Sequence, residues 1–574
     1  MSYAKNLLEQ QSLAPTDPYA RRQLIFPTLS DAQVDYAKAF GSVEDLAKGT
    51  VLFERGQRTV DFFVIIKGNI EIYEHGRDGL SVITIHRENQ FTGELDLFNN
   101  RQILVGGRMG EDGTVIRIGR ESFKKLIAAE PELGEIIMRA FILRRNGLVL
   151  HNQGAVSLII NGQSSDSLRI ARFLRRNGYP LDILDCATQT CDTILSRYSL
   201  TEAQLPAVLI HLGDRILPNP TNYELAAELG LVEQFDTEQT YDVAVIGAGP
   251  SGLSAAVYAA SEGLSTILLE GEAPGGQAGT SSKIENYLGF PTGISGQGLA
   301  ERAQVQAMKF GATLALPHNV VELNCDSLPY RLKLCDQDCE AMTIKARAVV
   351  IATGATYRTL NLENARDFDN AGCYYAATSM EGGLCRNEEI IVVGGGNSAG
   401  QAAVYLSSQA KHVHLLIRRD SLKETMSDYL IQRIDSSDRI TLHTQTEVTA
   451  LQGERHLEQV DLTDNTTGET VTKPIRHVFL MIGAAPNTEW LDGCLVLDEK
   501  GFIKTGMAVE SETAWQQARS PMMLETSLPG IFAVGDVRSG SIKRVASAVG
   551  EGSMSISHVH QVLAEQDDMP DLDR

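Results

Sequence analysis

Three glycines and one acid in residues 241–290 have the types and spacing that could bind a phosphorylated ligand. Gly247, Gly249 and Gly252 follow the pattern G-x-G-x-x-G, and Glu270 comes roughly 20 residues later. The first glycine permits a tight turn, the second lets backbone amides approach a pyrophosphate, and the third lets a helix pack closely on a strand. An acid at that distance can accept a hydrogen bond from a ribose hydroxyl. The pattern therefore predicts a site for a dinucleotide with free ribose hydroxyls.

A second glycine pattern lies further along the chain and is followed by basic residues. Gly394 and Gly396 open it, and Ala399 stands at its third position. The apolar segment that comes next ends in Arg418 and Arg419 rather than in an acid. A guanidinium pairs well with a 2′-phosphate, which a carboxylate would repel. This site is therefore predicted to bind NADP(H), and a chain with both sites is expected to be a flavoprotein that receives electrons from a nicotinamide.

Each glycine pattern needs a strand, a helix and a second strand to position it. The apolar run Val243–Ile246 precedes the first pattern, and an alanine-rich helix and an apolar run ending at Glu270 follow it. The segments "EEIIVVGGGNSAGQAAVYL" and "HVHLLIRRD" repeat this order. The fold class is therefore predicted to be multidomain α/β with two Rossmann-like dinucleotide-binding domains.

Several further motifs resemble thioredoxin reductase and occur in the order expected for that family. They are "GAGPSGLSAA", "PGGQA", "KIENYLGFP", "IATGA", "GAAPNT" and "GIFAVGDV", and the resemblance spans about residues 240–565. It implies FAD in the first site and NADPH in the second. It also implies that the NADPH-binding domain is inserted between two halves of the FAD-binding domain, and that the protein is a homodimer.

The resemblance also assigns roles to individual residues of both sites. For FAD, it implies pyrophosphate contacts from the three glycines, the adenosine ribose on Glu270, the ribityl chain and ring along Gly276 and Gln277, the flavin side at Asn286, and the ribityl-phosphate at Gly535 with Asp536. For NADPH, it implies Gly394, Gly396, Ser398, Arg418 and Arg419. Lys543 and Arg544 lie where the family's last helix points at the flavin, so they either stabilise the charge of a reduced flavin or line the surface.

The chain departs from the family at its reactive cysteines. Thioredoxin reductases carry Cys-Ala-Thr-Cys shortly before the second glycine pattern, and the matching segment here is "GCYYAATSMEGGLC". Its two cysteine positions are Ala376 and Ser379, or Ala377 and Met380 if the register is shifted by one. Neither register supplies a dithiol. We therefore expect hydride transfer from NADPH to flavin N5, with no catalytic residue assigned and with ordinary thioredoxin reduction absent.

Two cysteines flank that segment and leave alternatives open. Cys373 lies just upstream and Cys385 downstream. Either the two form an unusual pair, or Cys373 acts alone, or the flavin works without a protein disulfide. The electron acceptor would then be external: a quinone, a one-electron carrier or a small disulfide protein. The alternative function is a redox or nucleotide sensor with little turnover, in which the front domains signal or dock.

The first third of the chain resembles a different family. Short apolar strands with turns at Gly56 and Gly68 precede helical segments, as in a small antiparallel barrel. This resembles the cyclic-nucleotide-binding domain of the catabolite activator type, and Gly93 and Glu94 match the Gly-Glu of its phosphate cassette. The next arginine, Arg101, arrives early, and "QILVGG" replaces the usual small residues. Cyclic-nucleotide binding and a purely structural role both remain open.

The segment that follows resembles a thioredoxin or glutaredoxin fold. Pro206 is the candidate cis-proline before a strand. Ser164 and Ser167 stand at the spacing of the family's Cys-x-x-Cys, so this domain is expected to lack a disulfide there. Cys186 and Cys191, with four residues between them, are either a redox pair or incidental.

Composition limits the remaining functions. A net charge of −22 argues against a nucleic-acid partner, and the absence of a long apolar run argues against a membrane span. The first residues lack a signal segment, which predicts a cytoplasmic protein. Eight cysteines at irregular spacings predict neither a disulfide framework nor a metal site. The predicted domains are a lead segment (1–30), a cyclic-nucleotide-binding-like domain (31–150), a thioredoxin-like domain (155–235), the FAD-binding domain (240–360 and 481–566) and the NADPH-binding domain (361–480).

Overall fold

The computed structural model describes residues 17–568, except for 77–78, 94–96, 98–101, 152, 154–155, 163, 187–190, 211–214, 233–234, 282–283, 336–340, 363, 370, 376, 378, 454–455, 492, 511–514 and 516. The chain divides into two units. The first contains residues 1–162 and 170–234, and the second contains residues 163–169 and 235–574. Each unit has its own sheets and buried core.

Two antiparallel sheets form the front part of the first unit. Phe62 packs against Phe123 of a following helix, whereas the adjacent Phe63 faces Phe53 of the other sheet. Successive side chains of a strand point to opposite faces, so this strand is buried on both sides. The described strands form two separate sheets, of order β1-β7-β3 and β2-β6-β4-β5, and not the single closed barrel that was predicted. The strands are β1 Ser42–Leu46, β2 Val51–Phe53, β3 Phe62–Lys67, β4 Ile70–Gly76, β5 Gly79–His86, β6 Gly106–Met109 and β7 Gly113–Ile118.

Helices cover this front part. Pro18–Ala20 is a short 3-10 helix, and the ring of Tyr19 packs directly on Gly147 of the longest helix of the unit. Ser30 caps the helix Asp31–Lys38 through a reciprocal hydrogen-bond pair with Gln33. The helices are α1 Arg22–Ile25, α2 Asp31–Lys38, α3 Arg120–Ala129 and α4 Pro131–Leu150.

A four-stranded mixed sheet forms what we call the middle part of the chain, residues 156–232, whose strands all belong to the first unit. Its order is β11-β10-β8-β9, in which β8 and β9 are parallel and β10 is antiparallel to both of its neighbours. The Leu205–Pro206 peptide directly before β10 is cis, which confirms the predicted cis-proline. The elements are β8 Val156–Ile160, α5 Ser165–Arg176, β9 Leu181–Asp185, α6 Cys191–Tyr198, a 3-10 helix Glu202–Gln204, β10 Ala207–Ile210, β11 Arg215–Pro218 and α7 Asn222–Glu228.

A seven-stranded sheet organises what we call the outer part of the second unit, residues 235–357 and 484–568. Its order is β14-β13-β12-β17-β16-β15, and β28 pairs with β17. The central strands are parallel and are buried on both faces, as their continuous apolar runs require. The elements are β12 Thr240–Ile246, α8 Pro250–Ser261, β13 Thr266–Leu269, α9 Gly296–Lys309, β14 Thr313–Ala315, β15 Asn319–Asn324, β16 Tyr330–Cys335, β17 Ala341–Ile351, β18 Ala355–Tyr357, β27 Ala484–Pro486, α13 Met507–Glu510, β28 Ile531–Ala533 and α14 Val545–Asp567, with 3-10 helices at Ala278–Thr280, Glu489–Leu491 and Gly535–Val537.

The inserted part, residues 358–483, carries its own parallel sheet of order β19-β26-β20-β21-β22 and a three-stranded antiparallel sheet, β23-β24-β25. Strand β18 pairs with β27, so the chain enters and leaves the inserted part through one two-stranded crossing. Its elements are a 3-10 helix Ala365–Phe368, β19 Cys373–Tyr374, α10 Ser379–Leu384, β20 Glu389–Val393, α11 Asn397–Leu406, β21 His412–Leu416, α12 Asp428–Asp435, β22 Ile440–His443, β23 Thr446–Gln452, β24 Gln459–Asp464, β25 Thr470–Lys473 and β26 Val478–Leu480.

Across the part of the chain that the structure describes, no helix is both long and apolar enough to cross a bilayer.

Candidate dinucleotide-binding sites

The first glycine loop joins β12 to α8. Gly247 directly follows β12 and has φ of 97°, a left-handed conformation that favours glycine. A Cβ on Gly252 would collide with the carbonyl oxygen of Gly247, so the third glycine permits the close approach of helix and strand. Gly249 precedes α8, and its nearest potential Cβ neighbour is Gly276 Cα at 4.0 Å. The loop therefore leaves space for a phosphate group beside the helix N-terminus.

Glu270 lies beside this loop at the carboxyl end of β13. Its Oε2 accepts a hydrogen bond from the Ala248 amide at 2.8 Å, and its Oε1 accepts from the Glu272 amide at 3.0 Å. The two bonds fix the carboxylate at the edge of the parallel sheet, where dinucleotide ligands bind in open α/β sheets. The predicted ribose-binding residue is thus positioned by the glycine loop itself.

The segment after Glu270 returns to the glycine loop. The Gly275 amide donates to Ala248 O at 2.7 Å, and Gly276, with φ of 51°, would place a Cβ 3.0 Å from Gly249 Cα. Gln277 donates through Nε2 to the carbonyl of Ala355 in β18. Gly276 and Gln277 therefore lie between the first glycine loop and the crossing strand.

Asn286 is placed differently from the other predicted residues. It is exposed in the turn that follows Ile284, and that turn also exposes Leu288. Of the residues predicted to contact FAD, Asn286 is the one that the structure leaves at the surface.

The second half of the outer part brings Gly535 and Asp536 to the same place. A Cβ on Gly535 would lie 2.6 Å from Ser251 Oγ in the first turn of α8. The Gly535 amide donates to Glu551 Oε2 at 2.7 Å, and Glu551 also pairs with Arg538. Burial, with a further contribution from Glu551, raises the pKa of Asp536. These two residues and the glycine loop thus form one continuous site.

Lys543 and Arg544 lie at the start of α14. Lys543 Nζ donates to the carbonyl of Asp536 at 3.2 Å and sits 4.7 Å from the centroid of the Phe502 ring. Arg544 is the N-cap residue of α14 and is exposed. Of the two cations, Lys543 is the one tied to the Gly535–Asp536 segment.

Sequence reasoning missed Glu551, Ser251 and Arg538. Glu551 lies on α14, 16 residues from Gly535, whose amide donates a hydrogen bond to it. No local motif marks such a pair, because the contact depends on how α14 packs on α8. The signal that could have been used is the acid within an otherwise small and apolar helix face.

The second glycine loop joins β20 to α11 with similar geometry. Gly394 has φ of 140°, and a Cβ there would collide with the carbonyl oxygen of Met481. Gly396 is the N-cap residue of α11, and Ser398 is exposed in the first turn. Thr425 Oγ1 donates to the Gly395 carbonyl at 2.7 Å, which holds the loop open toward the helix N-terminus. The predicted residues of this loop lie together.

Arg418 and Arg419 follow β21 at the same edge of the sheet. Their side chains are 76% and 59% exposed. Arg418 Nε lies 3.7 Å from Glu447, and Arg419 Nη1 lies 2.8 Å from Glu424. Both guanidiniums are therefore accessible to a phosphate, which would compete with the two carboxylates.

The two cysteines near the expected dithiol position are buried. Ala376 is outside the described residues, as are the side chains of Ser379 and Met380, whereas Ala377 is partly buried. Cys373 packs with Ile391 and Val393, whereas Cys385 packs with Ile390 and Val392. Alternate residues of β20 face opposite sides of the sheet, so the two thiols lie on opposite faces.

Burial also makes the two thiols poor nucleophiles. Desolvation, with a smaller effect from Asp369, raises the pKa of Cys373 to about 12. Desolvation raises the pKa of Cys385 to about 11. Since the thiolate is the reactive form, a raised pKa keeps both thiols protonated and weakly nucleophilic at neutral pH.

The phosphate cassette of the front part is only partly described. Glu94 and Arg101 lie outside the described residues. Arg144 of α4 donates to the Gly93 carbonyl at 3.0 Å and sits over the Phe91 ring at 4.7 Å. The nearest described arginine after the cassette, Arg108, pairs with Glu71 at 2.8 Å. Ile103, Leu104 and Val105, which stand where small residues are usual, are buried.

The middle part holds the serines that replace the expected cysteines. The Ser167 amide donates to Ser164 Oγ at 3.1 Å, and the Ser164 amide donates to Ser167 Oγ at 2.9 Å, so the two side chains cap α5. Cys186 is buried with Ile159 and Leu184. The side chain of Cys191 lies outside the described residues.

The residues of both glycine loops fit a dinucleotide. The close approaches at Gly252 and Gly394 leave no space for a side chain, and each loop precedes a helix N-terminus. Within the described ranges, no group of three or more His, Cys, Asp or Glu residues is arranged to hold a metal ion. Both loops thus present backbone amides at a helix N-terminus, the arrangement that favours a phosphate group.

Two protein-family models match separate regions of this chain. The family model described as pyridine nucleotide-disulphide oxidoreductase matches residues 241–552, and the cyclic nucleotide-binding domain model matches residues 43–130. The thioredoxin reductase of Mycolicibacterium smegmatis is 34% identical over 332 residues, which cover 58% of this chain and 99% of that protein. The thioredoxin reductase of Bacillus subtilis is 32% identical over 329 residues, which cover 57% of this chain and 96% of that protein. The crystal structure of Lactococcus lactis thioredoxin reductase in its FR conformation has a TM-score of 0.50 at 30% identity, covering 57% of this chain and all of that one.

Proposed function

The chain belongs to the pyridine nucleotide-disulphide oxidoreductase family, and from that premise we propose that it passes electrons from NADPH through FAD to an external acceptor without a dithiol of its inserted part. Its thioredoxin reductase-like core is that of an FAD-dependent NADPH oxidoreductase.

The outer part would hold FAD, which when bound accepts a hydride from NADPH and releases the electrons again. The amides of the first glycine loop and the N-terminus of α8 bind the pyrophosphate, and Glu270 accepts from a ribose hydroxyl. Asp536, whose pKa is raised by burial, directly follows Gly535, which lies against the first turn of α8, and it binds the ribityl side. Lys543 adds a positive charge near Asp536 that favours an electron-rich ligand.

The inserted part would hold NADPH. The second glycine loop and the N-terminus of α11 bind the pyrophosphate, and Arg418 and Arg419 bind the 2′-phosphate. The exposure of both guanidiniums supports this role, because a phosphate can reach them without moving the backbone.

The burial of Cys373 and Cys385 is the main support for the proposal that no dithiol relays the electrons. The two thiols lie on opposite faces of one sheet, and burial raises the pKa of each. Ala376 and Ser379 occupy the positions of the family's cysteine pair in the sequence. The electrons must then leave the flavin directly, to a quinone, a one-electron carrier or an external disulfide.

An anaerobic stopped-flow experiment tests the proposal. We expect NADPH to bleach the oxidised flavin band rapidly and NADH to do so much more slowly. The variant Cys373→Ala with Cys385→Ala should bleach at the wild-type rate and retain turnover with a quinone. Efficient reduction of thioredoxin that the double variant abolishes would contradict the proposal, because it would show that the two cysteines relay the electrons.

The middle part of the chain is proposed to be a thioredoxin fold without a redox pair. Its β-α-β-α-β-β-α order and its sheet order support this assignment. Ser164 and Ser167 cannot form a disulfide, so this part would serve docking rather than electron transfer.

A further inference from the structure

Cys325 and Cys494 are bonded to each other in a pairing that the sequence did not predict. The bond joins residues 169 positions apart, with 6.5 Å between the two Cα atoms. That separation lies within the usual range for disulfides. Cys325 directly follows β15, and Cys494 comes shortly after the 3-10 helix Glu489–Leu491.

The bond links the two halves of the outer part across the inserted part. Cys494 lies just beyond β27, the strand through which the chain leaves the inserted part. Leu323 of β15 and Leu491 belong to one apolar cluster, and both cysteines pack against it from its edge. Upstream, the Asn487 carbonyl accepts a hydrogen bond from Thr353 Oγ1 at 3.1 Å. The segment after the crossing is therefore fixed at Asn487 by a hydrogen bond and at Cys494 by a covalent bond.

Exposure distinguishes these two cysteines from Cys373 and Cys385. Cys325 and Cys494 are partly exposed, whereas the other two are completely buried. Exposed disulfides are the ones that external thiols reach and open. The bonded pair therefore has the accessibility that a reversible bond requires.

We propose that Cys325 and Cys494 form a thiol–disulfide switch that restrains the crossing between the outer and inserted parts. A dithiol reductant opens the bond: its thiolate attacks one sulfur, and the other leaves as a thiolate and takes a proton. The second thiol of the reductant then breaks the mixed disulfide, so two electrons and two protons yield two cysteines and one oxidised reductant. A disulfide oxidant reverses the sequence.

The expected consequence is slower turnover in the form in which Cys325 and Cys494 are bonded, which we call the closed form. The form with two free thiols is the open form. The chain passes between the parts that carry the two glycine loops through β18 and β27, so motion of one part relative to the other acts on this crossing. A covalent anchor just beyond β27 limits that motion. This consequence rests on the proposed function, whereas the existence and reversibility of the bond do not.

Redox titration with peptide mapping tests the bond itself. The full-length protein is equilibrated in buffers of increasing oxidised-to-reduced dithiothreitol ratio, quenched with acid, alkylated and digested. We expect a peptide that crosslinks Cys325 to Cys494 to appear at the oxidising end and disappear at the reducing end. The closed form should melt roughly 4 °C higher than the open form, because closing a long loop restricts the unfolded chain.

Two variants and a matched control complete the test. Cys325→Ser and Cys494→Ser should each abolish the crosslink and the redox-dependent change in melting temperature and turnover. Cys335→Ser, which changes a partly exposed cysteine of the neighbouring strand outside the bond, should retain all three. A crosslink that never forms, or one that persists at every ratio, overturns the proposal. Flavin that NADPH cannot bleach in either form would instead count against the proposed function and leave the mapping result standing.

Discussion

The charge of one or two side chains at the end of a strand distinguishes the two nucleotide sites. Glu270 follows β13 and is held by the Ala248 amide, whereas Arg418 and Arg419 follow β21 and point into solvent. A carboxylate accepts from ribose hydroxyls and repels a 2′-phosphate, and a guanidinium does the opposite. The positions of these three residues could be predicted from sequence because the strand-turn-helix-strand unit fixes them relative to the glycines, and their binding roles stay a prediction.

The first prediction concerns cofactor choice. Arg419→Ala should raise the KM for NADPH by about 10- to 100-fold, the loss expected for a charge-assisted hydrogen bond to phosphate, and leave the KM for NADH nearly unchanged. Steady-state kinetics with both nucleotides measures this. Glu424→Gln is the complementary variant, because it removes the carboxylate that pairs with Arg419 and should lower the KM for NADPH. Equal losses with both nucleotides would show that Arg419 does not recognise the 2′-phosphate.

The second prediction concerns Glu551, which the sequence did not single out. Glu551→Gln weakens the acceptor of the Gly535 amide and the partner of Arg538, so FAD should bind about 10-fold more weakly. The fraction of flavin retained after dilution and gel filtration measures it. Glu565→Gln is the control on the same helix, since Glu565 pairs with Arg519 instead. If both variants lose flavin equally, the effect belongs to the stability of α14 and not to Gly535.

At the scale of elements, local patterns predicted where strands lie better than which strands pair with each other. Alternation and glycine turns indicated the strands of the front part, but β1 pairs with β7, which lies at the other end of that part. Pairing over such a distance depends on which apolar faces meet, and alternation within one strand does not encode it. The predicted barrel is therefore observed as two sheets, whereas the parallel βαβ units, whose strands are joined by one helix, form the sheets expected of them.

The third prediction follows from histidines on β21 and β22. Burial lowers the pKa of His414 to about 4, and burial also lowers the pKa of His443, whose Nε2 lies 3.0 Å from His414 Nδ1. The unfolded chain takes up protons near pH 6.5 while the folded state stays neutral, so stability falls as pH drops from about 6.5 to 4. His414 alone contributes at most about 3 kcal/mol to this loss.

Urea unfolding at pH 7 and pH 4.5 measures the effect. His414→Gln should reduce the difference between the two midpoints, because the titrating imidazole is gone. His560→Gln is a matched control, since His560 is partly exposed and pairs with Glu262 at 2.8 Å. A pH dependence that His414→Gln leaves unchanged would assign the acid sensitivity to other groups.

At the scale of the whole molecule, sequence motifs identified the two family regions, and the structure added which cysteines are buried. The motifs predicted the thioredoxin reductase-like core and the cyclic nucleotide-binding domain, and both family matches confirm them. Sequence alone left open whether Cys373 and Cys385 react, because accessibility depends on how sheet and helices pack. The Cys325–Cys494 bond could not be predicted for the same reason, since its two ends are 169 residues apart in the sequence and lie together only in the folded chain.

The fourth prediction concerns the front part and its bearing on the full chain. A cyclic nucleotide is held in this domain type chiefly by an arginine on its phosphate. Here Leu104 and Val105 are buried apolar residues beyond the cassette, and Arg108 is engaged by Glu71. A buried apolar side chain cannot replace a cation opposite a phosphate. We therefore expect cyclic AMP and cyclic GMP to leave both the melting temperature and NADPH turnover of the full-length protein unchanged.

Thermal unfolding with increasing ligand tests this directly, because a ligand that binds only the folded state raises the melting temperature with concentration. NADP⁺ is the positive control and should raise it through the second glycine loop. A concentration-dependent rise with a cyclic nucleotide would mean that Arg101 or another cation reaches its phosphate. An accompanying change in turnover would make the front part a regulator of electron transfer rather than a structural partner of it.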